Sequence, residues 1–264
     1  MKRTILTITA AIALAMTGCS SGSSHTDRPD SESAPAAEAE ITLNVLAAAS
    51  LQKAFEEISE QFAAEHPNIS IDFNFAGSST LVQNLEAGSP ADVVATADEA
   101  NMDKAQEANL IDVDSRGLFA SNKLVGIVPE DNPENISTLE DANADGANLV
   151  ICAPQVPCGA LSQTLAEAAG ITLNPVSEEQ QVSDVLGKVR SGQADAGLVY
   201  TTDAALAADE VEVFDIEGAD AELNHYPIAR TSNSEHPEAA EAFIEFVYSD
   251  LGQATLAANG FSAP

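Results

Sequence analysis

Short apolar runs alternate along this chain with stretches whose apolar residues recur at helical spacing. Ile41-Thr42-Leu43-Asn44-Val45-Leu46-Ala47-Ala48 predicts a strand, and Leu51-Gln52-Lys53-Ala54-Phe55 opens a helix directly after it. Ile69-Ser70-Ile71-Asp72-Phe73-Asn74-Phe75 alternates with period two, as a half-buried strand does, and a helix follows from Leu81. Further strands are predicted at Asp92–Thr96, Lys123–Val128, Asn148–Cys152, Ala196–Tyr200, Val211–Phe214 and His225–Arg230. Helices are predicted over about 98–108, 159–169, 180–191 and 237–248, the last with an aromatic face. Strands alternating with helices predict α/β sheets of mostly parallel strands, with ligands bound beyond the strands' carboxyl ends.

The segments near Lys123 and His225 read as crossings between two lobes. Residues 41–121 would join 226–264 in one lobe, and 122–225 would form the other. Before Ile41 the character changes. Lys2 and Arg3 precede a short apolar stretch, Ile5 to Met16, and Met16-Thr17-Gly18-Cys19 reads as a lipoprotein processing site. Residues 1–18 are thus expected to be a signal peptide, too short for a permanent span. Cys19 would carry a diacylglycerol that tethers the protein to a membrane surface; the alternative is an ordinary cleaved signal with Cys19 removed or free. The rest of 19–40, rich in Ser, Ala, Pro, Asp and Glu, reads as a flexible linker. The expected location is extracytoplasmic. In an oxidising compartment, the close pair Cys152 and Cys158 is expected to be bridged.

The formal net charge of −32 excludes a nucleic-acid groove, and no basic cluster offsets it. An anion site in such a chain has to rely on local donors. Two places offer them. Ala47-Ala48-Ala49-Ser50 and Ala76-Gly77-Ser78-Ser79-Thr80 are small, hydroxyl-bearing turns between a strand and a helix. A helix start leaves backbone N–H groups unpaired and carries the positive end of the helix dipole, which suits an oxyanion. Taken singly, Ser50 and Ser78 (or Ser79) read equally as plain N-caps. Tyr200 alone reads as strand packing, and Asp92, Asp98, Asp184 and Asp203 as caps or turn residues.

In series, these runs resemble the molybdate-binding proteins of ABC importers (ModA type). The matching stretches are Ala47–Leu51, Ala76–Leu81, Glu86–Val93, Ala97-Asp98, Val156–Gly159, Ser183–Val185 and Gly197–Ala204. The resemblance implies a two-lobed periplasmic-binding-protein fold of type II, with the ligand in the cleft between lobes. It implies that molybdate or tungstate is held by neutral donors alone: the hydroxyls and amides of Ser50 and Ser78, the N–H of Cys158 and of Val185, and the phenol of Tyr200. It also implies a monomer that delivers its ligand to an ABC permease, with no cofactor and no direct metal ligand.

No nucleophile elbow, phosphate-binding loop, dinucleotide fingerprint or zinc-protease motif occurs in the chain. His25, His66, His225 and His236 are scattered, and none is patterned to act as a base for either serine. The expectation is therefore a binding protein and not an enzyme. The same fold binding sulfate or phosphate is the alternative.

Overall fold

The computed structural model describes residues 39–264. The expected signal peptide, Cys19 and most of the expected linker lie outside these residues. The strands are β1 (Ile41–Ala48), β2 (Ile69–Ala76), β3 (Val93–Ala95), β4 (Gly117–Asn122), β5 (Leu124–Pro129), β6 (Leu149–Cys152), β7 (Ser177–Glu179), β8 (Ala196–Tyr200), β9 (Val211–Phe214) and β10 (Asn224–Arg230). The helices are α1 (Gln52–Glu65), α2 (Ser78–Glu86), α3 (Glu99–Glu107), α4 (Leu139–Ala142), α5 (Pro157–Ala168), α6 (Val182–Arg190), α7 (Thr201–Leu206), α8 (Pro237–Tyr248) and α9 (Asp250–Ala258). None of them is long and apolar enough to cross a membrane.

Two five-stranded sheets result, ordered β2-β1-β3-β10-β4 and β7-β6-β8-β5-β9. The first, with its helices, makes lobe 1, and the second makes lobe 2. The sheets are built alike. In each, three strands run parallel (β2, β1, β3 and β7, β6, β8), and a strand next to them, β10 or β5, runs against them. The sheets are thus mostly parallel, as expected, with one reversed strand in each. Parallel neighbours need a crossover helix between them. β5 and β10 instead enter directly from the other lobe, β5 after the single residue Lys123, and so arrive pointing the opposite way. β10 also pairs antiparallel with β4, setting Asn224 opposite Asn122 where the chain passes between lobes.

The cores explain why the segments settle there. β6 and β8 are buried along their whole length, as strands covered by helices on both faces must be. β2, at a sheet edge, alternates between more and less exposed positions. One face of the lobe 1 sheet carries an aromatic cluster. Phe243 meets Phe55 and Phe62 edge-on at centroid distances of 5.9 and 5.5 Å. Each such ring contributes about 2 to 3 kcal/mol by burial. Asp92, buried at the head of β3, accepts the Asn44 N–H at 2.9 Å and the Ser234 hydroxyl at 2.7 Å, which ties β1 to the start of α8. It is a structural carboxylate.

Cys152 and Cys158 are joined by a disulfide that closes the loop between β6 and α5. A loop this short should contribute about 2 kcal/mol by restricting the unfolded chain. Urea melts of residues 39–264 with and without a reductant should differ by that amount. Superimposable curves would show that the bridge contributes nothing to stability.

Candidate functional site

Between the lobes lies a small cavity. Lobe 1 lines it with Ala48, Ala49 and Ser50, with Ala76, Gly77 and Ser78, and with Ala97; lobe 2 adds Val156, Pro157, Cys158, Val182 and Tyr200. The lobes meet closely here. A methyl group on Gly77 would stand 2.0 Å from the Gln180 carbonyl oxygen across the cleft, so no side chain fits at that position.

Four of these wall segments are helix starts, and none is closed by its own side chains. The turn Ala49–Leu51 that leads into α1, and the helices α2, α5 and α6, have no side-chain cap. Three other helices carry caps, Asp98 for α3, Thr138 for α4 and Ser249 for α9, each accepting from its own first turn, while α8 has none. The helix starts around the cavity therefore present open N–H groups and positive dipole ends to one point.

The serines do not behave as N-caps. Ser50 lies within the short turn, and its Oγ is hydrogen-bonded to the Tyr226 hydroxyl at 3.0 Å. Ser78 is the first residue of α2, and its Oγ accepts the Ala97 N–H at 2.9 Å. With a lone pair already engaged, the Ser78 proton is left to point elsewhere, and Ser78 borders the cavity. Ser79, the neighbouring candidate, is also buried but is not part of the wall.

Tyr200 ends β8 fully buried and packs edge-on against Tyr226, with 6.1 Å between ring centroids. Its hydroxyl oxygen accepts from the Asn224 carboxamide. Burial pushes the Tyr200 phenol well above its ordinary range, and the nearby Tyr226, Asp98 and Asp203 push the same way. The phenol is therefore neutral and a hydrogen-bond donor at any physiological pH.

Cys158 is on the wall at the second position of α5, its sulfur bridged to Cys152. Val185 is not on the wall. It is the fourth residue of α6 and its side chain is in the lobe 2 core. Val182, the first residue of α6, takes the place at the cavity with an N–H the helix does not use. The run Val182-Ser183-Asp184-Val185 has a valine at both positions, so sequence alone does not reveal which valine begins the helix.

The wall carries no ionisable acid or base other than the tyrosine. Two carboxylates near Tyr200 lie outside the wall. Asp98 caps α3 and is raised by burial. Asp203 accepts the Tyr200 N–H at 3.1 Å, is almost wholly buried, and is pushed by that burial up to about 7. Among the described residues no group of three His, Cys, Asp or Glu side chains is placed to hold a metal ion.

A family model described as "bacterial extracellular solute-binding protein" matches residues 43–262. The "molybdate-binding protein ModA" of Mycobacterium tuberculosis (strain H37Rv) is 40% identical over 257 residues, which are 97% of this chain and 96% of that protein. Among solved structures, the Azotobacter vinelandii periplasmic molybdate-binding protein aligns with a TM-score of 0.74 at 20% identity, over 84% of this chain and 99% of its own. The sulfate-binding protein SubI from Mycobacterium tuberculosis H37Rv aligns with a TM-score of 0.71 at 19% identity, over 85% and 87%. At those identities the two structures establish likeness of fold.

Asp203 generates a pH-dependent prediction. Its folded pKa is raised above the unfolded value, so its contribution to stability is full below about pH 4 and is lost as pH rises towards 7. Asp203→Asn keeps an acceptor for the Tyr200 N–H and removes the titration. Over pH 4 to 7, wild type should lose on the order of 4 kcal/mol relative to Asp203→Asn. Chemical denaturation at both ends of that window measures the difference, and parallel pH profiles would contradict the assignment.

Proposed function

The chain belongs to the bacterial extracellular solute-binding protein family, and on that premise we propose that it captures molybdate, or tungstate, outside the cytoplasm and delivers it to an ABC permease. The observation that carries this reading is the chemistry of the wall. It brings together open helix starts, two serine hydroxyls and a neutral phenol, and it contains no carboxylate.

Molybdate at neutral pH is a dianion with no proton to give, so a cavity of donors satisfies every oxygen. Hydrogen phosphate brings an O–H for which this wall offers no carboxylate acceptor, and left unpaired it costs about 1 to 3 kcal/mol. Sulfate is also unprotonated, and a relative in fold binds it. Its shorter bonds would leave several donors of a molybdate-sized cavity out of reach. Molybdate and tungstate are close in size and should bind alike. The proposed donors are Ser50, Ser78, the Cys158 N–H, the Val182 N–H in place of that of Val185, and the Tyr200 phenol.

The curated relatives support this ligand class, and 40% identity across nearly the full chain supports carrying it over. The delivery step, the monomeric state and the lipid tether at Cys19 belong to the same proposal. A tethered receptor of this kind needs no catalytic group. It needs two lobes that separate and close, and the single-residue passage at Lys123 and the Asn122–Asn224 pairing support reading the two adjacent crossings as a hinge.

Calorimetric titration of residues 39–264 with molybdate, tungstate, sulfate and phosphate tests the reading. Binding of the first two alone is expected, and binding of phosphate in preference would overturn it. Ser50→Ala and Ser78→Ala should each weaken molybdate by about 1.5 to 3 kcal/mol, because each removes a donor to a charged group. Val182→Pro removes one backbone donor at a first helical position that tolerates proline. It should lower affinity at least tenfold with the far-UV circular dichroism unchanged. Unaltered binding in all three variants would displace the site.

A further inference from the structure

A hydroxyl can donate or accept, and a site for a fully deprotonated anion works only if its hydroxyls donate. The structure contains a device that sets this direction for Ser50, and it lies in the hinge. Asn122, the last residue of β4, is almost completely buried, and all four of its side-chain hydrogen-bonding positions are used. Its Oδ1 accepts the Lys123 N–H at 2.9 Å and the Thr201 hydroxyl at 2.8 Å. A backbone N–H can only donate, so this contact fixes which end of the carboxamide is oxygen. The Nδ2 group must then face the other way. It donates to Thr202 Oγ1 at 2.8 Å and to the Tyr226 hydroxyl oxygen at 3.4 Å.

Tyr226 is completely buried, and its hydroxyl has two neighbours, Asn122 Nδ2 and Ser50 Oγ. Since Asn122 occupies a lone pair, the Tyr226 proton goes to Ser50 Oγ, 3.0 Å away. Ser50 is thereby an acceptor on its inner side and keeps its own proton for the cavity it borders. Burial holds the Tyr226 phenol above its ordinary range, so it does not lose that proton.

We propose that Asn122 and Tyr226 are positioning residues that orient a one-way hydrogen-bond relay, Asn122 to Tyr226 to Ser50, and so make Ser50 a donor to an unprotonated oxyanion. The inference rests on the function proposed above and deepens it. Selection for an anion without a proton is set partly from the hinge, and neither positioning residue lines the cavity. Asn224, opposite Asn122 in the β4–β10 ladder, donates in the same sense to the Tyr200 hydroxyl.

The relay makes a prediction that charge or packing alone does not. In Asn122→Asp, both oxygens accept. The Tyr226 proton turns towards the new carboxylate, Ser50 must donate to Tyr226, and a lone pair faces the anion. In Tyr226→Phe, Ser50 loses its acceptor role but keeps a proton to give. Molybdate dissociation constants should rise at least a hundredfold for Asn122→Asp and about threefold to tenfold for Tyr226→Phe. Asn122→Asp with Tyr226→Phe should return to within about threefold of Tyr226→Phe alone, because no phenol remains to be reversed. A double variant as weak as Asn122→Asp would show that the added charge or a disturbed hinge is responsible, and would overturn the relay. So would an Asn122→Asp protein that binds like wild type.

Circular dichroism and thermal melts of the unliganded variants check folding. Should Asn122→Asp fail to fold, Asn122→Ala replaces it. It should lose about tenfold in affinity, a loss that Tyr226→Phe relieves, whereas simply additive losses would count against the relay. Wild type is titrated in the same series. If it does not bind molybdate, the ligand reading falls and the relay falls with it; if it binds and the variants do not couple, only the relay falls.

Discussion

A backbone N–H at a buried helix start needs an acceptor, and the architecture around the cavity follows from leaving that need unmet in four places. Every other feature of the site serves it. Small residues at Ala48, Ala49, Ala76 and Gly77 let an anion reach the backbone. Side-chain caps are present on α3, α4 and α9 and absent from the helices that face the cleft, as they are from α8. Under the proposed function, a dianion supplies the acceptors that those N–H groups lack. For a chain of formal charge −32, this is also the only workable source of attraction. The net field repels anions but is screened within about 8 to 10 Å in physiological salt, whereas the helix ends act in contact.

The second requirement is direction. Serine and tyrosine hydroxyls are ambivalent. The Ala97 N–H, which can only donate, commits the inner face of Ser78, and the proposed relay from Asn122 through Tyr226 would do the same for Ser50. Tyr200, Asn224, Tyr226 and Asn122 sit where the chain passes between lobes.

Much of this was legible in the chain because it is local. Strand-then-small-turn-then-helix junctions at Ser50 and Ser78 are written in adjacent residues, as are the apolar runs of β6 and β8. What was not legible depends on contacts far apart in sequence. Strand direction is invisible to a period-two pattern, so the reversed β5 and β10 emerge only from the way the chain crosses. β4 escaped notice because Gly117-Leu118-Phe119-Ala120-Ser121-Asn122 mixes polar and apolar positions that are buried by different partners. The choice between Val182 and Val185 turns on which residue begins α6, a boundary that two valines three apart do not mark. Tyr226 lies 176 positions from the serine it orients, and no local motif flags the pair.

The most direct measurement is a crystal structure of residues 39–264 grown with tungstate, with anomalous data collected at the tungsten edge. One strong peak is expected in the cleft, its oxygens within hydrogen-bonding distance of Ser50, Ser78, Tyr200 and the N–H groups of Cys158 and Val182, with no carboxylate in contact. A peak bound elsewhere, or an Asp or Glu oxygen among its partners, would contradict it.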